Sequence, residues 1–134
     1  MSGHLLFSYG AALLLISGAM ADMAGFAARK LTVRRWGGWL LVIGSAAAVV
    51  AFFTGSAAAR NLPVTAETVA LAERIELHTM LGSLATWIIA GFAVLRVVWW
   101  RHLDGQAGIV TLLAGAGSAA LALVVLATGA AIHG

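Results

Sequence analysis

Four apolar runs, each long enough to cross a hydrocarbon core, decide what this chain can fold into. They lie near 5–28, 37–58, 77–100 and 108–132, and a membrane-crossing helix needs roughly 20 residues. Inside lipid every backbone N–H and C=O must find a partner within the protein, so only helices and closed barrels are admitted. Barrel strands alternate in polarity over about 10 residues, and no run here alternates. With 62% hydrophobic and 10% charged residues, the chain sits well below the roughly 25% charge of soluble domains. The expectation is an all-α membrane protein: one domain over 1–134, a four-transmembrane-helix bundle running up-down-up-down in the lipid bilayer.

Charge sets an expected orientation. "RKLTVRRW" joins the first two runs and "RHLDGQAG" the last two, so six of the eight Lys and Arg residues gather at one end. By the positive-inside rule that end is cytoplasmic, which leaves both termini and the 59–76 connection outside a plasma (inner) membrane. Trp36, Trp39, Trp99 and Trp100 fall at the same level, as an aromatic belt would. The first run lacks a basic leader segment and reads as a retained helix. The basic residues are not spread as a nucleic-acid surface requires. The connection 59–76 holds Glu67, Glu73 and Glu76 against Arg60 and Arg74; it reads as a turn at Pro63, a helix start at Thr65, and a segment on the membrane surface or extending the third span.

Gly and Ala saturate the second and fourth spans. Helices gain no hydrophobic energy from one another in lipid, so small residues that let backbones approach drive their packing. Compared with itself at an offset of 74, the chain places His4 on His78, Asp22 on Arg96 and Thr54-Gly55 on Thr128-Gly129. Two readings stay open: a tandem repeat of a two-helix unit, or coincidence in an Ala-rich chain. In a repeat, the first and third spans face each other across the bundle.

Eighteen residues make five helical turns, about 27 Å. His4 and Asp22 therefore share one face of the first span at opposite ends, as His78 and Arg96 do on the third. A charge at that depth needs a partner. Arg96 either snorkels to the interface, leaving Asp22 to Arg29 or water, or the two form a structural ion pair, or they belong to a proton or ion path. Only Ser17, Ser45, Ser83, Thr86 and Ser118 could relay protons, which favours the structural pair.

Three of the four histidines, His4, His78 and His133, fall at the opposite end; His102 reads as a solvated interface residue. Thr54-Gly55 and Thr128-Gly129 close the second and fourth spans at about that depth. Glycine there lets a flat group or a backbone come close, and Gly10 and Gly82 could act likewise. A threonine hydroxyl could orient a ligating imidazole. Neutral imidazoles on facing helices of a bundle are the usual ligands of a b-type haem. His4 and His78 are the first choice of axial pair, His78 and His133 the second. Zinc or copper held by the three histidines, with Glu76 or water, is an alternative, and so is no cofactor. Without cysteine, disulfides, thiolate sites, iron–sulfur clusters and thioether-linked haem are excluded.

These motifs resemble a group of bacterial four-helix predicted membrane proteins, domain of unknown function 2231. Its members open on a pattern like HPxxVHFP, carry an Asp late in the first span and end the second on TG. They set a His at the head of the third and close on HG. The corresponding residues are His4, Asp22, Thr54-Gly55, His78 and His133-Gly134. Tyr9 stands at the second N-terminal His position and the prolines are absent, so a site using that His would be altered here. Similar domains occur joined to cytochrome c-like modules, which implies a redox role by analogy.

The leading expectation is a membrane redox protein that binds haem b and exchanges electrons with another membrane subunit. Its rival is a structural or assembly subunit of a larger complex, and self-association into a homo-oligomer is a further option. No nucleophile–base pair or carboxylate pair supports a hydrolase, which leaves the question of an enzyme open and favours an electron-transfer or accessory subunit.

Overall fold

The computed structural model describes residues 3–133, without the side chains of Ala107, Ala131 and His133. Four long helices, α1 (Gly3–Ala27), α2 (Leu31–Arg60), α4 (Ala72–Val98) and α5 (Gly105–His133), enclose one core; a short α3 (Ala66–Ala70) lies in the second connection. All four are long and apolar enough to cross a membrane. The protein is a multi-pass four-helix bundle. α1 packs on α2 and α5, and α4 packs on α2 and α5, which puts α1 and α4 on one diagonal and α2 and α5 on the other.

The helices run longer than the hydropathy implied. α2 begins at Leu31 instead of 37, which carries Arg34 and Arg35 from the expected connection into its first turn. α4 begins at Ala72, so Glu73, Arg74 and Glu76 are helical, while Trp99 and Trp100 lie just beyond its end. The α1–α2 turn ends with Lys30 N–H donating to Gly25 O at 2.8 Å and with Arg29 at φ 54°. This is a Schellman-type stop with arginine in a left-handed conformation that glycine usually takes. In the second connection Thr65 caps α3, its hydroxyl accepting from Thr68 N–H, and the chain bends at Leu71 into α4.

Leu15, Ala19, Leu41, Ala85, Ile89 and Ala119 form the core, and large apolar side chains such as Leu13, Trp36 and Leu113 point outward. That inversion suits a lipid surround, in which small residues pack inside and bulky ones meet acyl chains. The closest approach is between α1 and α2. A Cβ built on Gly37 would lie 2.7 Å from Asp22 N and 2.8 Å from Gly18 O. The two backbones touch, and nothing larger than hydrogen fits between them.

Gly37→Ala should therefore cost about 1–3 kcal/mol through overpacking. Gly91→Ala, on an exposed face with nothing within 4 Å of the added carbon, should be neutral or gain up to about 1 kcal/mol. Unfolding of both variants in detergent micelles would show the contrast.

Candidate functional site

Two polar layers interrupt the apolar bundle, one near each end. At the arginine-rich end Asp22, Arg34 and Arg96 are all buried. Asp22 Oδ1 accepts from Arg34 Nε at 2.8 Å and from Arg96 Nη2 at 3.1 Å. The pair between Asp22 and Arg96 joins the diagonal helices α1 and α4 across the bundle axis. Arg34 also donates to Leu103 O at 2.6 Å, Gly108 O at 3.0 Å and Thr111 Oγ1 at 3.4 Å, so one guanidinium ties α1, the α4–α5 connection and α5 to α2. Arg96 Nη2 further donates to Arg34 O at 2.8 Å.

Arg34 is the residue that sequence reasoning missed. Hydropathy leaves it in the basic connection between the first two spans, because the apolar run does not show that α2 starts at Leu31. A signal existed in the repeat: Gly108, whose carbonyl Arg34 reaches, lies 74 residues after Arg34.

One carboxylate faces two guanidiniums, and the surplus positive charge is spread over backbone carbonyl dipoles. Asp22 Oδ2, Arg96 Nε and Arg96 Nη1 have no hydrogen-bond partner among the described residues. A cavity of about 10 Å³ between Arg96, Ser45, Thr111 and Ser118 has room for about one water. The three hydroxyls donate to Leu41 O, Gly108 O and Ala114 O of their own helices.

The second layer, at the opposite end, consists of two equivalent histidine seats. His4 on α1 rests on Gly55 of α2: a Cβ there would lie 2.5 Å from His4 Cε1, so any larger residue would displace the ring from this position. His78 on α4 rests on Gly129 of α5 in the same way, with a Cβ 3.0 Å from Cε1. Both partners in each seat are displaced by the same 74 residues, so one His–Gly contact is made twice. Gly10 has nothing within 4 Å of an added carbon and Gly82 only Val125 at 4.0 Å, so neither seats a ring.

Hydrogen bonds orient both imidazoles. His4 Nδ1 lies 2.9 Å from Ala51 O; a carbonyl only accepts, so Nδ1 carries the proton. His78 Nδ1 lies 2.9 Å from Thr128 Oγ1, whose own proton goes to Val125 O at 2.9 Å, so this Nδ1 donates as well. In the neutral form of either ring the lone pair then sits on Nε2, the form a metal-binding imidazole takes. Thr54 does not reach the ring: its hydroxyl lies 2.9 Å from Val50 O and 3.1 Å from the Ala51 carbonyl that His4 uses. The side chain of His133, and Gly134, lie outside the described residues. His102 is exposed. Among the described residues no three His, Cys, Asp or Glu side chains gather as a metal site.

Comparison with protein-family models, with curated proteins and with solved structures gives no match.

Asp22→Asn would leave two buried guanidiniums facing no charge and should cost about 3–5 kcal/mol, as breaking a buried ionic cluster does. Arg96→Met should cost less, because the remaining Asp22–Arg34 pair is neutral; denaturation of the two variants side by side tests the order. Nitrogen chemical shifts of imidazole-labelled protein should show His4 and His78 protonated at Nδ1, and Thr128→Val should release that preference at His78 alone.

Proposed function

We propose that this protein is a membrane redox carrier that holds a b-type haem near its histidine end, with His4 and His78 as axial ligands. One observation carries the reading: two imidazoles, on the helices that oppose each other across the bundle, share an Nδ1 anchor and a glycine seat. This donor set fits a bis-imidazole iron, whose bonds would run through the two Nε2 atoms. When bound, haem supplies a one-electron couple at the membrane surface. The chain's residues contribute the orientation of each ring, through Ala51 O and Thr128 Oγ1, and the Asp22–Arg34–Arg96 lock holds the far end of the same helices. Neither the 10 Å³ cavity nor the groove described below borders a histidine. Binding would therefore widen the histidine end, and His4, in the first turn of α1, sits where a helix opens most readily. The positive-inside rule supports an extracytoplasmic position for this end, with the electron partner on that side of a bacterial inner membrane. His133 is the reserve ligand. Zinc or copper at the same histidines is the alternative metal chemistry.

A second reading has its own observation. Each ring already fills its glycine seat, as a packing knob would, and a cofactor-free assembly subunit needs no more than that.

A reduced-minus-oxidised visible spectrum of protein purified after haem-replete expression separates them. The redox reading expects a b-type spectrum that is lost in His78→Ala and in His4→Ala, while Thr128→Val keeps the haem and shifts its midpoint potential. Colourless protein with intact folding favours the assembly subunit, and metal analysis of the same sample decides for or against zinc and copper.

A further inference from the structure

Between the end of α2, α3 and the start of α4 lies a groove of about 320 Å³, walled by Leu62, Pro63, Val64, Val69 and Ile75 with Glu76 at its edge. Its apolar walls are strongly exposed: Val64 is 91% accessible, Val69 64% and Leu62 47%. Thr68 also borders it, but its hydroxyl is occupied, accepting from Thr65 N–H at 2.8 Å and lying 2.9 Å from Pro63 O. The walls therefore offer a hydrocarbon surface and little for a polar ligand.

Depth identifies what covers that surface. Trp39 is exposed on α2 at the arginine-rich end, where indole rings mark a membrane interface. Ala59, which lines the groove, follows it by 20 residues of one helix, about 30 Å at 1.5 Å per residue, and the hydrocarbon core is about 30 Å thick. Ile75 stands 24 residues before Trp99, about 36 Å on the same measure. The groove thus opens at the hydrocarbon edge and ends in the headgroup layer, continuous with the lipid-facing sides of α2 and α4. Charges in the 59–76 connection are Arg60 and Arg74 against Glu67, Glu73 and Glu76, net −1, which disfavours an anionic headgroup.

We propose that the 61–71 connection is embedded in the membrane interface and that its groove takes an acyl chain of a zwitterionic phospholipid. This is independent of any cofactor at the histidines. The chain has no cysteine, so Val64→Cys, Val69→Cys and Glu67→Cys each give a single nitroxide site in the otherwise native protein. In phosphatidylcholine liposomes the labels at 64 and 69 should collide with oxygen several-fold more readily than with a nickel chelate, and the label at 67 should show the reverse. Nickel accessibility at 64 equal to that at 67 would place the connection in water and overturn the proposal. Protection of 64 from both reagents would overturn it in favour of a protein cover. Native mass spectrometry from phosphatidylcholine nanodiscs should find one retained lipid that Ala72→Trp, which fills the groove, expels. Absence of that lipid from the wild type, or its persistence in Ala72→Trp, would overturn the acyl-chain assignment.

Discussion

A single carboxylate buried between two guanidiniums organises this bundle. Asp22, Arg34 and Arg96 are all buried, and a charge in that setting is tolerated only when paired and hydrogen-bonded. The cluster therefore admits one arrangement of four helices. α1 must meet α4 across the axis for Asp22 to reach Arg96, and α2 must lie against both for Arg34 to reach Asp22 and the carbonyls of Leu103 and Gly108. Apolar contacts in lipid discriminate weakly between alternative packings. The polar layer supplies the discrimination, and the Gly18–Gly37 approach supplies the close fit that lets the layer form.

An offset of 74 residues relates polar contacts at both ends of the bundle. Residues 74 apart that lie on the axis touch each other, as Asp22 touches Arg96 and Arg34 touches Gly108. Residues 74 apart that lie off the axis make the same contact twice, as His4–Gly55 and His78–Gly129 do. The likeness is confined to these polar contacts: α1 packs far more extensively on α2 than α4 does on α5, and the touching Gly18 and Gly37 correspond at the same offset to Phe92 and Thr111. Asp22 and Arg96 carry opposite charges, where two like charges would repel. The two rings differ in one respect: His4 is held by a backbone carbonyl and His78 by a hydroxyl. An imidazole that donates to the stronger carbonyl acceptor is the more electron-rich ligand.

Some of this was legible in the residues. The helical class, the number of spans and the pairing of Asp22 with Arg96 follow from hydropathy, the absence of alternation and the cost of an unpaired charge. Element ends were less legible: the early start of α2 at Leu31 and of α4 at Ala72 places charged residues in helix beyond the apolar run, and a hydropathy window ends where charge begins. Arg34 was hidden for that reason. Of the two threonines, Thr128 reaches an imidazole and Thr54 does not, because His4 takes the Ala51 carbonyl, a difference that the shared Thr-Gly motif does not show.

What the sequence determined by itself is therefore the solvent and the elements: four runs too apolar for water, too long for strands, and charged where they leave the membrane. What only the tertiary structure decided is rotation and neighbour order. These spans are apolar nearly all round, and a helix without an amphipathic stripe does not declare which face turns inward. That choice fell to contacts between distant residues: glycines where backbones meet, and one carboxylate that had to find its arginines. It settled that Arg34 is a buried tie in place of a surface charge, and that His4 and His78 rest on Gly55 and Gly129.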